Sequence, residues 1–111
     1  IGIHEAERRF GSSAGPYQEQ EGPAVARPLL REAGADEEES RRVCWLIAHH
    51  HSYGAGEDTD FRILLEEDFL VNADEDGLPR ESILAARERL FRTGSGRALL
   101  DDIFLAKPYI I

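Results

Sequence analysis

The stretch DEEESRRVCWLIAHHH, residues 36–51, decides the fold class of this chain. It opens with Asp36, a good N-cap residue, and the three glutamates that follow stand where a helix dipole favours negative charge. Residues at the three- and four-residue spacing of one helix face come next: Val43, Leu46, Ile47 and His50. The stretch therefore predicts a helix that directs His50 inward, with His51 at the border of the same face.

Similar patterns on both sides of this stretch predict further helices. The predicted segments are a short helix ending at Gly11, a helix that begins near Pro23 and is kinked or broken at Pro28, one capped by Thr59 or Asp60, and two more at about 80–92 and 97–105. No segment alternates with the period of a strand. We therefore expect an all-α fold, a compact bundle of about five or six helices forming one domain over residues 1–111, with a tail after residue 106 that packs on it or is extended.

Charge and composition limit the partners of the chain. It has 13 basic and 22 acidic residues in 111, a net charge of −9. This charge argues against sequence-independent binding to the phosphates of nucleic acid. Its single cysteine, Cys44, lies in an apolar segment and is interpreted as a buried thiol without a catalytic role. No apolar stretch approaches the roughly 20 residues of a membrane span, so we expect a soluble, cytoplasmic protein that does not enter membranes.

Three consecutive histidines end the central helix, and Asp68 follows seventeen residues after the last of them. Imidazole and carboxylate groups are ligands that divalent first-row metals prefer. Asp68 falls in an apolar stripe with Phe61 and Leu65, where a carboxylate needs a partner, and Asn72 stands one turn further. The alternative interpretation makes the histidines a solvated helix end and puts Asp68 in an ordinary ion pair or cap. Arg62 is interpreted as a phosphate contact or as a solvated surface residue.

The segments Val43–His51 and Leu64–Asn72 together resemble the later part of an HD-domain metal-dependent phosphohydrolase. That superfamily is all-helical and binds metal through a first histidine, an adjacent His-Asp pair and a distant last aspartate, which Asp68 matches. His50 and His51 resemble the histidines that bind a second metal or the substrate phosphate. The resemblance also makes Glu21 a candidate ligand, although a first-turn carboxylate near a helix start is the alternative for that residue.

The resemblance implies a divalent transition metal (Fe, Mn, Zn or Ni) held by Asp68, His50, His51 and Glu21. It also implies hydrolysis of a phosphate ester of a nucleotide or small metabolite, because such a metal activates water and offsets charge on the phosphate. His50 or His51 would then act catalytically by donating a proton or hydrogen bond to the leaving group.

Part of the family's ligand set does not occur in the sequence. There is no His-Asp pair among the 111 residues, and the nearest equivalent is His4-Glu5. The chain also has no methionine, from which we expect that it lacks the N-terminal helices of the domain, either because they were removed or because these residues are part of a longer product. The alternative function is therefore a noncatalytic, degenerate or truncated HD-like module that binds a ligand or partner. An apolar face left exposed by missing helices would favour a homo-oligomer.

Overall fold

The computed structural model describes residues 1–106 and consists of helices joined by short connections, with no strand in that range. The elements are α1 (Ile3–Phe10), α2 (Gly15–Glu32), α3 (Glu37–His49), α4 (Thr59–Asp76), α5 (Arg80–Arg89), α6 (Gly94–Leu100) and a π-helical turn (Asp101–Leu105). The predicted all-α fold with five or six helices is confirmed. The contacts divide the chain into two compact units, unit 1 (Ile1–Ala55) and unit 2 (from Gly56).

Unit 1 is built on α2, which packs against both α1 and α3. The first helix ends as predicted at Gly11, whose φ of 68° is a left-handed conformation that glycine adopts without cost. The predicted cap of α3 is confirmed, since the Asp36 carboxylate accepts a hydrogen bond of 2.8 Å from the Glu39 N–H. That bond lowers the pKa of Asp36. Cys44 is buried in this unit, as predicted.

The predicted start of the second helix near Pro23 is wrong. Helix α2 begins eight residues earlier, at Gly15, because Pro16 takes a first-turn position where its missing N–H costs nothing. The helix then continues through Pro23 and Pro28 to Glu32. Each interior proline removes one backbone hydrogen bond. Packing on both neighbouring helices therefore outweighs the local preference of the two prolines.

Two glycines allow close packing of the helices in unit 1. A Cβ atom on Gly2 would stand 2.6 Å from the carbonyl oxygen of Gln18 and 2.8 Å from the backbone nitrogen of Gly22. A Cβ on Gly22 would in turn collide with Cγ2 of Ile47 on α3. The start of α1 thus approaches the middle of α2 at backbone distance, and the Ile47 side chain near the end of α3 packs directly on the backbone of α2 at Gly22.

Unit 2 contains α4, α5, α6 and the π-helical turn. Its buried core is formed by side chains from all three helices and their connections: Phe61, Leu65, Ala73, Ile83, Leu90, Phe91 and Leu100. The N-cap residue of α4 is Asp58, one residue before the two predicted caps, Thr59 and Asp60. The C-cap residue is Gly77, which has a left-handed φ of 60°. Arg87 forms a bidentate ion pair with Asp101, in which Nε donates to Oδ1 at 2.7 Å and Nη2 donates to Oδ2 at 2.9 Å. Hydrogen bonding from Arg87 lowers the pKa of Asp101.

Among the described residues, none of the helices has both the length and the apolar character needed to cross a lipid bilayer. The predicted tail after residue 106 lies outside the described residues.

Candidate functional site

The three histidines at the end of α3 have different environments. His49 directs Nδ1 to the carbonyl oxygen of Trp45 at 2.7 Å, and its ring stacks on the indole with centroids 4.3 Å apart. His50 is the C-cap residue and directs Nδ1 to the carbonyl oxygen of Ile47 at 2.6 Å. All three rings are half-buried. The three histidines thus stand at the end of α3, as predicted, and each keeps partial access to water.

His51 joins the end of α3 to α2 through polar contacts that the sequence did not predict. Its backbone N–H donates to Glu19 Oε2 at 3.0 Å, and its Nε2 lies 3.2 Å from Gln18 Oε1. The Ser52 hydroxyl donates to the same Glu19 carboxylate at 2.8 Å. The rings of His50 and His51 lie 4.1 Å apart, so the structure does bring these two predicted residues together. Nothing in the sequence indicated that Gln18 and Glu19 would contact His51, apart from their position in a Gln- and Glu-rich segment.

Glu21, the third predicted ligand in unit 1, lies in the middle of α2 and is 8% exposed. Its Oε1 accepts a hydrogen bond of 2.8 Å from Arg9 Nη1, which supplies the opposite charge that a buried carboxylate needs. The first-turn interpretation of Glu21 is wrong, because α2 begins at Gly15. Binding of a metal by Glu21 would have to replace this ion pair or share the carboxylate with it.

Asp68 belongs to unit 2, where it is half-buried on α4. Its Oδ2 accepts a hydrogen bond of 3.1 Å from the side-chain amide of Asn72, one helical turn later. Asn72 is therefore the polar partner that a carboxylate in an apolar stripe needs, as predicted. This contact joins a carboxylate to an uncharged amide within one helix.

Within residues 1–106, no three side chains of the His, Cys, Asp and Glu types converge in a way that could bind a metal ion. The expected metal therefore has no preassembled set of three ligands in this part of the chain. The metal and catalytic roles of His50, His51, Glu21 and Asp68 stay predictions.

Arg62 and Glu66 form the main buried polar structure of unit 2. Arg62 is 4% exposed and its Nη2 donates to the carbonyl oxygen of Leu90 at 2.6 Å, so the prediction of a solvated surface arginine is wrong. Glu66 is 2% exposed, and its carboxylate accepts hydrogen bonds from the N–H groups of Arg92 (2.9 Å) and Thr93 (3.2 Å). It also accepts one of 2.6 Å from the Thr93 hydroxyl.

The sequence analysis missed Glu66, although one weak signal was present. Helix α6 has no acidic residue in its first turn, so a carboxylate from another element is favoured near its N-terminus. Thr93 caps this helix by accepting a hydrogen bond of 2.9 Å from the Gly96 N–H. A Cβ on Gly96 would collide with Glu66 Oε1, so glycine at this position lets the carboxylate reach the helix start.

An apolar groove lies above this buried carboxylate, and we call it the α4–α6 groove. Its volume is about 410 Å³, and it is lined by Thr59, Ile63, Glu66, Glu67, Leu70, Thr93, Ser95, Gly96 and Leu99. Ile63 and Leu99 are large apolar side chains that remain 50% and 51% exposed. Two of the lining residues, Glu66 and Thr93, are joined by a hydrogen bond of 2.6 Å. The groove is therefore a preformed apolar site within unit 2.

Comparison of the chain with protein families, with curated proteins and with solved structures finds no match. The resemblance to HD-domain phosphohydrolases therefore stays a prediction based on the sequence segments quoted above.

Proposed function

We propose that this chain is a noncatalytic helical module that binds a partner through the α4–α6 groove. The observation that carries the proposal is the pair of half-exposed side chains, Ile63 and Leu99, on the walls of a preformed groove. Concave sites with apolar walls and a few fixed polar groups are where proteins bind their ligands. Ile63 and Leu99 are already half covered, so burying the rest of one such side chain against a partner contributes about half of the roughly 1.5–3 kcal/mol gained by full burial.

The residues of the alternative, catalytic proposal are engaged in contacts within the chain. Glu21 is paired with Arg9, His51 with Gln18 and Glu19, and Asp68 with Asn72. Each of these three predicted residues therefore has a contact that stabilises the fold. The groove residues are different, because burial within the chain leaves half of the surface of Ile63 and Leu99 exposed to water.

The groove suits an apolar side chain of a macromolecule better than a whole small ligand. Small-molecule sites usually enclose about 70–90% of their ligand. The groove is open along one side, so a small ligand lying in it would keep part of its surface in water, whereas a helix laid along the groove would cover its walls from outside. The proposed function is therefore recognition of a polypeptide.

A binding test with a neutral solvatochromic dye, Nile red, checks whether the groove binds apolar groups. We expect Leu99→Asp and Ile63→Asp each to weaken dye binding by about tenfold, since each removes about 1 kcal/mol of apolar burial and also places a charged group against an apolar ligand. Ile103→Asp is the matched control, because Ile103 is 55% exposed and does not line the groove. Equal dye binding by all three variants and the unmodified chain would remove the groove from consideration as a binding site.

The metal-dependent phosphohydrolase is the second candidate, and one contact favours it. A metal-bound histidine commonly donates its other ring N–H to a backbone carbonyl, which fixes the ligating nitrogen. The contact of His50 Nδ1 with the Ile47 carbonyl oxygen has this form and leaves Nε2 for a ligand.

For this candidate, the expected result is that His50→Ala and Asp68→Ala lower metal content and turnover of a generic phosphate ester together. His49→Ala is the control, because His49 makes the same type of carbonyl contact and its ring is stacked on Trp45. Elemental analysis of the purified protein and a phosphate-release assay provide the two measurements. Unchanged metal content and turnover in both variants would contradict the assignment of these residues.

A further inference from the structure

The outer face of α4 carries a row in which apolar and acidic side chains alternate. The row consists of Ile63, Glu67, Leu70 and Asp74, which recur at spacings of four, three and four residues. That spacing places all four on one side of the helix, over a length of about 17 Å. Ile63, Glu67 and Asp74 are exposed and Leu70 is half-buried. The first three members line the α4–α6 groove, and Asp74 extends the row beyond it.

Charge is distributed unevenly along α4. The helix contains seven acidic residues and a single basic one, Arg62. Arg62 is buried and donates to the Leu90 carbonyl oxygen, so it does not offset the acidic side chains on the outer face. The row therefore favours a partner that brings apolar groups for Ile63 and Leu70 and positive charge for Glu67 and Asp74.

From this distribution, and resting on the proposed function, we propose that the groove binds a basic amphipathic helix of another polypeptide. Its apolar side chains lie between Ile63, Leu70 and Leu99, and its Lys or Arg side chains lie beside Glu67 and Asp74. A length of about 17 Å corresponds to three turns of helix, which is a usual length for helix-in-groove recognition. Electrostatic complementarity of this kind raises association rates and excludes wrong partners.

The same charges disfavour other occupants. A second copy of the chain carries a net charge of −9 and presents the same acidic row, so the two surfaces repel each other. Nucleic acid and anionic lipid are also negatively charged, and both are repelled by Glu67 and Asp74. A basic helix is thus the polypeptide that both the apolar and the charged members of the row favour.

The test uses a synthetic 18-residue helical peptide with leucines at three- and four-residue spacing and lysines on both sides of the leucine stripe. Two control peptides have glutamine in place of every lysine or the same residues in scrambled order. Fluorescence anisotropy of the labelled peptides with the full chain provides the affinity. We expect the basic amphipathic peptide to bind about tenfold more tightly than the glutamine peptide at low salt, with a difference that shrinks at high salt.

Charge reversal in the protein tests the assigned row directly. The double variant Glu67→Lys with Asp74→Lys is expected to weaken binding of the basic peptide by about tenfold or more. The double variant Glu75→Lys with Asp76→Lys is the matched control, because it changes the net charge equally at exposed positions of α4 outside the row. We expect that control to retain most of the affinity.

The outcomes separate this inference from the proposed function. Equal binding of the basic and glutamine peptides, with loss of both in Leu99→Asp, would overturn the charge assignment and leave the groove as a binding site. Absence of binding by all three peptides would overturn the basic-helix proposal, and the dye test then decides whether the groove binds at all. A dimer in sedimentation analysis that Leu99→Asp dissociates would instead assign the groove to a second copy.

Discussion

Replacing Glu66 by alanine is expected to lower the free energy of unfolding by about 3 kcal/mol, because one carboxylate serves three donors in the fold. The N–H groups of Arg92 and Thr93 and the Thr93 hydroxyl all donate to it. Alanine would leave these donors without their acceptor and would open space beneath Gly96. Urea denaturation followed by circular dichroism measures the change.

The neighbouring residue offers a matched control for this prediction. Glu67 stands next to Glu66 on the same helix, but its side chain is exposed. Glu67→Ala is therefore expected to change the free energy of unfolding by less than about 0.5 kcal/mol, as is usual for surface positions. Glu66→Gln separates charge from shape, since glutamine keeps one acceptor oxygen, and an intermediate loss is expected. Similar stability of Glu66→Ala and Glu67→Ala would contradict the role given to the buried carboxylate.

Phe91→Ala is expected to have the largest effect on stability, a loss of about 4 kcal/mol, because it creates a cavity at a fully buried aromatic position. Phe91 is 0% exposed, and its ring meets the ring of Phe69 edge to face with centroids 5.7 Å apart. Its backbone also participates in the connection between α5 and α6, where its carbonyl oxygen accepts a hydrogen bond from Arg97. The midpoint of urea unfolding provides the measurement.

Two further variants calibrate the effect of Phe91. Phe91→Leu keeps most of the apolar volume and is expected to cost roughly 1–2 kcal/mol. Ile103→Ala removes apolar atoms from a side chain that is 55% exposed, and a change below about 0.5 kcal/mol is expected. A loss of less than about 1 kcal/mol in Phe91→Ala would show that the core of unit 2 does not depend on this ring.

Local chemistry predicted the fold class and several helix ends from the sequence. Asp36 followed by glutamates indicated the start of α3, and Gly11 the end of α1, since both signals act through atoms within one turn. The start of α2 could not be predicted in the same way. Prolines at 23 and 28 oppose a continuous helix locally, and only packing of α2 against α1 and α3 makes the longer helix favourable.

The candidate site shows a similar division. The partner of Asp68 was predictable, because Asn72 is one turn away on the same helix. The partner of Glu21 was not, since Arg9 stands twelve residues earlier on another helix and meets it only after α1 packs on α2. Arg62 and Glu66 look like surface residues in sequence, and the connection between α5 and α6 is what buries them.

The sequence by itself determined which residue types this protein has for binding: histidines after an apolar helix, acidic residues along α4 and apolar residues between them. Helical periodicity was enough for that, because it depends on neighbours within one or two turns. The tertiary structure decided which of these side chains remain accessible. It engaged Glu21 and His51 in internal contacts and left Ile63 and Leu99 half exposed over a buried carboxylate, because burial depends on contacts between residues distant in sequence.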